Sequence, residues 1–141
     1  MTEKTALIID DDAANRAIWE LVLNEKGYHV LEAADAASGM SFVSGDVNLY
    51  LVDYHLPDAH GTEIVTRVRS QYPASIVVMV SMDDDADVIR EGIRAGGNVF
   101  MVKPTSPSVM GQVLSEIESG DLNATAHQLI SRHGRRTYAS Q

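Results

Sequence analysis

Five short apolar runs punctuate the chain, and a segment of helical period follows each. Residues 4–9, 28–32, 47–52, 75–80 and 98–102 read as strands. Most are continuous and rich in β-branched residues, which suits strands covered on both faces of a parallel sheet. The intervening segments carry apolar residues three and four apart. Ala17, Ile18, Leu21 and Val22, with Glu25, give the first stripe, closed by Gly27. Residues 35–44 give a second, shorter helix. Residues 62–71 place Ile64, Val65 and Val68 on one side and stop at Tyr72-Pro73. Residues 84–95 show Val88, Ile89 and Ile93 ahead of Gly96-Gly97, and residues 106–119 show Val109, Val113, Leu114 and Ile117 ahead of Gly120.

Strict alternation of this kind predicts an α/β fold, five βα units forming a doubly wound parallel sheet with right-handed crossovers. The pattern alone leaves strand order open. A flavodoxin-like order, 2-1-3-4-5, would put the first and third strands at the switch point and gather Asp10, Asp11 and Asp53 there. Residues 1–119 make one domain, and residues 120–141 are an appendage. Within it, residues 121–132 read as a short helix carrying Leu122, Leu129 and Ile130, and the remainder as disordered.

Composition narrows the class. With 141 residues, 45% hydrophobic and 22% charged, the chain is an ordinary globular one. It has no cysteine, so disulfides and thiolate metal sites are excluded. No apolar stretch approaches membrane-spanning length, and Met1-Thr2-Glu3-Lys4 leads straight into a strand. A cytoplasmic protein with no membrane contact is the expectation. A net charge of −9 argues against broad nucleic-acid binding. Arg132, Arg135 and Arg136 cluster past the last acid, Asp121; they read as a solvated or frayed tail, with a docking or nucleic-acid contact as the alternative.

The chemistry lies at the strand ends. Asp10-Asp11 follows the first strand, Asp53 ends the third, Ser81 the fourth and Lys103 the fifth. Three carboxylates within about 5 Å repel by about 3 kcal/mol per pair at an effective dielectric near 20, which either raised pKa values or a cation must offset. Hard oxygen ligands favour Mg²⁺. Asp12 reads instead as a helix N-cap, and Asp83, Asp84, Asp85 and Asp87 as an acidic helix start. Lys103 precedes Pro104, where the chain must turn, and can reach a carboxylate or phosphoryl oxygen. The Ser81 hydroxyl can donate to the same oxygen.

The ordered set Leu7-Ile8-Ile9-Asp10-Asp11, Leu51-Val52-Asp53-Tyr54-His55-Leu56-Pro57 with Gly61, Val80-Ser81, Ala95-Gly96 and Phe100-Met101-Val102-Lys103-Pro104 resembles the receiver domains of two-component response regulators. The resemblance spans residues 4 to about 118 and carries the strand order with it. It implies that Asp53 is the phosphoacceptor for a sensor histidine kinase or phosphotransfer protein. It makes Asp10, Asp11, Asp53 and the His55 backbone carbonyl the Mg²⁺ site, with Asp10 acting through water. Lys103 would pair with Asp53 and then with the phosphoryl group, and Ser81 and Phe100 would be a switch pair. By the same resemblance, on phosphorylation Ser81 would move toward the phosphoryl oxygen and Phe100 would rotate inward. That would reset the surface of the fourth helix, fifth strand and fifth helix for a downstream protein target or a homodimer.

Departures from the common pattern are Phe100 in place of a tyrosine and Met82 in place of a small residue. The bulk of Met82 would narrow access to the phosphoryl group, and His55 and Asp83, at the rim, occupy the two variable positions that tune hydrolysis in the family. The main alternative is an enzyme, a phosphatase of the haloacid dehalogenase type with Asp10 as nucleophile and Asp12 as acid/base. It leaves Asp53 without a role and lacks an acidic pair after Lys103. A flavin module would want a phosphate-cradling loop where this chain is triply acidic, and a degenerate receiver would have lost an acid or the lysine. About 20 residues after the fifth helix cannot hold a DNA-binding domain, so output is expected through protein contact or a domain outside this chain.

Overall fold

The computed structural model describes residues 4–83, 85–103, 106–119 and 137–139, the last by backbone only. Asp84, Pro104 and the helix expected over residues 121–132 lie outside the described residues. The element order is β1 (Lys4–Ile9), α1 (Ala13–Glu25), β2 (Tyr28–Ala33), α2 (Ala36–Phe42), β3 (Leu49–Asp53), α3 (Thr62–Gln71), β4 (Ile76–Ser81), α4 (Ala86–Ala95), β5 (Val99–Val102), α5 (Pro107–Glu118) and β6 (Thr137–Ala139). Strands β1 to β5 are parallel in the order 2-1-3-4-5, as expected.

A sixth strand was not expected. Residues 137–139, read from sequence as disordered, pair antiparallel with β5 at the sheet edge. Three residues without period or turn signals carry nothing that marks a strand; the pairing depends on an edge supplied from elsewhere in the chain.

Alternating strand residues divide the core into two layers. Ala6, Ile8, Leu49, Leu51, Val78, Val80, Val99 and Met101 pack under α1 and α5. Leu7, Ile9, Tyr50, Val52, Val77, Met79, Phe100 and Val102 pack under α2, α3 and α4. Strands β3 and β5 are buried throughout, which explains their continuous apolar sequence. The stripe expected on α1 is rotated. Trp19, Val22 and Leu23 are the buried residues, while Leu21 is 60% exposed and Ala17 faces solvent. Two overlapping apolar stripes were available on this helix, and the one holding the largest side chain faces the sheet.

At the end of the sheet away from the acids, Arg69 ties two loops together. Its guanidinium donates to the carbonyls of Gly96 (2.7 and 3.0 Å), Pro73 (2.7 Å) and Ser75 (2.8 Å) and to Asn98 Oδ1 (2.8 Å). Asn98 Oδ1 also accepts from the Val77 amide, so the starts of β4 and β5 are held in one network. Among the described residues no helix is long and apolar enough to cross a membrane.

Candidate functional site

Strand order brings four strand ends to one edge. Asp53 closes β3 opposite Val80 of β4, and Asp10 follows β1 with its amide bonded to the Ala33 carbonyl of β2 (3.0 Å). Asp10 and Asp53 are buried, at 3% and 7% exposure, and Asp11 is exposed. A carboxylate oxygen from each lies within 4.8 Å of the others, the only such acid or histidine cluster among the described residues.

One cation is built in. Lys103 Nζ donates to Asp53 Oδ2 at 2.9 Å and to Asp10 Oδ2 at 3.0 Å. Burial by itself would lower the Lys103 ammonium, but the hydrogen bonds to Asp53 and Asp10 and their charges outweigh it and raise its pKa. Burial pushes the Asp53 carboxyl above its ordinary value; the Lys103 contact opposes this incompletely, and Asp10 adds to the rise. Three acids against one lysine leave two negative charges among hard oxygen donors. That residue of charge and that donor set fit a divalent cation such as Mg²⁺.

The remaining oxygens are oriented by local backbone. Asp10 Oδ1 accepts from the Asp12 amide (2.9 Å), and Asp53 Oδ1 accepts from the His55 amide (3.2 Å). Asp12 caps α1, accepting from Ala14 and Asn15 (2.9 and 3.4 Å), the capping role expected of it. Two residues missed in sequence also bear on Asp10. Arg16 donates to its carbonyl at 2.7 Å while pairing with Glu32 at 3.3 Å, and Asn15 Nδ2 lies 3.5 Å from Asp10 Oδ2. Their signal was spacing: both fall in the first turn of the helix that Asp12 starts.

The loop after Asp53 is pinned from beneath. Gly61 donates to the Tyr54 carbonyl at 2.7 Å, and a Cβ at Gly61 would lie 2.1 Å from the Asp53 carbonyl oxygen. With φ of −59° the glycine is needed for this close approach, not for its backbone angles. Asp58 in the same loop accepts from Ala36 and Ala37 (2.8 and 3.0 Å), which lowers its pKa and docks the loop on the start of α2.

The rim residues stand at the mouth. His55 is exposed, and its Nε2 lies 3.7 Å from Asp83 Oδ2. Met82 is 79% exposed. Beneath them Tyr54 donates to Glu91 Oε2 of α4 at 2.6 Å; that bond is the main reason its phenol is pushed up to about 12. No sequence period links Tyr54 to Glu91, so this tie between the acceptor loop and α4 was invisible beforehand.

Ser81 and Phe100, the expected switch pair, are both buried. Ser81 is fully buried, and its Oγ accepts from the Asp83 amide at 3.1 Å. Phe100, expected to move inward on activation, is already inward and 0% exposed. A slot opposite Gly92 of α4 receives the ring: a Cβ there would lie 2.8 Å from Phe100 Cδ2 and 3.0 Å from Met79 Sδ. A phenyl ring has no hydroxyl to draw it to solvent, so burial is its stable position.

Against known proteins, residues 6–115 match the family model described as the response regulator receiver domain. The chain is 28% identical over 116 residues to a Campylobacter jejuni chemotaxis protein CheY homolog, covering 79% of this chain and 89% of that one. It is 30% identical over 102 residues to a cyclic di-GMP phosphodiesterase of Thermotoga maritima, covering 72% of this chain. The chain spans only 27%, 45% and 53% of the length of three such curated relatives, the other two being transcriptional regulators. The solved CheY-like receiver domain protein of Methanospirillum hungatei JF-1 superposes with a TM-score of 0.75 at 28% identity, over 89% of this chain and 98% of that one.

Proposed function

The chain belongs to the response regulator receiver domain family, and from that membership we propose that Asp53 is its phosphoacceptor, in Mg²⁺-dependent transfer from the phosphohistidine of a sensor kinase. The observation that carries the reading is the Asp10–Asp11–Asp53 cluster with Lys103 bridging two of its members. In the reaction an Asp53 carboxylate oxygen attacks phosphorus, an O–P bond forms, and the P–N bond to the donor imidazole breaks. Asp10, Asp11, Asp53 and the His55 carbonyl would hold the metal, which neutralises charge spreading over the phosphoryl oxygens.

Lys103 supplies a second cation at Asp53 Oδ2, positioned before the phosphoryl group arrives and able to follow it afterwards. The Ser81 hydroxyl, whose oxygen accepts from the Asp83 amide, donates its hydrogen to the phosphoryl oxygen. Because Phe100 already occupies the inward slot, Ser81 and the loop before α4 carry the response, with the Tyr54–Glu91 bond transmitting strain to α4. The readout surface is α4, β5 and α5, offered to a downstream protein, to a second copy or to a domain outside this chain. Residues 1–119 constitute the receiver in this reading, and residues 120–141 an appendage.

A haloacid-dehalogenase-type phosphatase is disfavoured because Asp12, its acid/base, is engaged as a helix cap. Beryllofluoride with Mg²⁺, a mimic of the phosphoryl group, tests the proposal by fluorine NMR. Protein-bound fluorine signals are expected with the intact chain and none with Asp53→Asn; equal signals in both would overturn it.

A further inference from the structure

The two edges of the sheet are protected in different ways. β2, at one edge, carries exposed His29 and a charged Glu32, polar groups that discourage another strand from pairing. β5, near the other, is Val99-Phe100-Met101-Val102, four buried apolar residues with no charge, proline or bulge. Bare, such a strand is a template for pairing with any extended chain. Here residues 137–139 lie against it, in the register Val99↔Ala139, Phe100↔Tyr138 and Met101↔Thr137.

The donors involved follow from strand geometry. The Lys103 amide bonds to the Ser81 carbonyl of β4 at 2.8 Å, so alternate amides, those of Met101 and Val99, face β4. The backbone of Phe100 faces outward, toward Tyr138. Charge favours the arrangement as well. Past Ser119 the chain holds three arginines and one acid, whereas residues 1–119 hold the remaining nineteen of the twenty acids.

We propose that residues 137–139 are a guard strand, an occupant in cis of the β5 edge that shuts this edge to a strand from a second copy or a partner. The interaction surface is the outward backbone of Phe100, beside α4. Its ligand is an extended antiparallel segment recognised through main-chain hydrogen bonds. That the guarded edge lies within the output surface rests on the function proposed above; the guarding itself does not. Under that reading, any target that adds a strand to this face must first displace the C-terminal segment.

The test uses the full chain and the variant Tyr138→Pro, which removes the donor that pairs with Phe100 of β5 and leaves Asp53 and its cluster untouched. Without phosphodonor, amide exchange by NMR is expected to quicken about tenfold or more at Phe100 and to stay unchanged at Val99 and Met101, which bond to β4. Equal rates at Phe100 in the two proteins would overturn the pairing. Sedimentation at rising concentration is expected to show the variant associating more strongly than the parent chain; no increase would overturn the guard role. Phosphorylation of Asp53 in the variant is a separate readout, so its failure in both proteins would sink the functional reading and leave this one standing.

Discussion

Replacing Gly61 by alanine tests whether Asp53 is positioned by the backbone packed beneath it. The added Cβ would meet the Asp53 carbonyl oxygen at 2.1 Å, Val52 Cγ1 at 2.8 Å and the Asp53 carbonyl carbon at 3.0 Å. Two of those three atoms are backbone, so no side-chain rotation relieves the collision. The acceptor residue or its loop must shift by about 1 Å to restore ordinary contact. Overpacking of this kind costs roughly 1–3 kcal/mol, and a backbone obstacle puts the cost at about 3. In a domain of this size that lowers the melting temperature by about 6–12 °C. A displacement of about 1 Å at the nucleophile slows phosphorylation by about a hundredfold. Calorimetry and the rate of phosphorylation by acetyl phosphate read the two effects. Gly45→Ala is the control, since its nearest neighbour would be Tyr72 Cε1 at 3.5 Å, an ordinary contact. A Gly61→Ala protein that melts and reacts like the control would refute the argument.

Other outcomes follow from the same geometry. Lys103→Met removes the built-in cation, so Mg²⁺ affinity by calorimetry should rise while the phosphorylation rate falls by about a hundredfold; a fall in affinity would show that the lysine does not compete for the cluster. The raised Asp53 carboxyl gives a signed pH effect in metal-free protein. Because the folded state holds that proton more tightly, the stabilisation is full below the unfolded value near 3.9 and is lost as pH rises through the raised value. Carbon NMR should find Asp53 titrating above its ordinary value without metal and below it with Mg²⁺; a carboxyl unmoved by Mg²⁺ would count against metal ligation. Arg69→Lys cannot reproduce a fork serving four acceptors, and urea unfolding should show a loss of about 2 kcal/mol with an unchanged slope.

The strand-end chemistry was legible because it is written in consecutive residues: an apolar run, then an acid, serine or lysine. Burial of strands such as β3 made those runs continuous, and α3 matched its expected span, residues 62–71, because Tyr72-Pro73 ends it. What escaped were relations between segments distant in sequence. Tyr54 with Glu91, Asp58 with the start of α2, and Arg69 with Gly96 and Asn98 all join loops that only the folded sheet brings together. The rotated face of α1 escaped because Leu21 and Leu23 are equally apolar, and the position of Trp19 decides between them. The position of Phe100 escaped because it depends on the space left by Gly92, one helix away.

Intact mass after incubation with acetyl phosphate and Mg²⁺, followed by peptide mapping, addresses the central claim most directly. The account predicts one phosphoryl group on the parent chain, carried by Asp53, lost on chelation of the metal before reaction and absent from Asp53→Asn. Phosphorylation that survives Asp53→Asn undiminished, or that maps to Asp10, would contradict it.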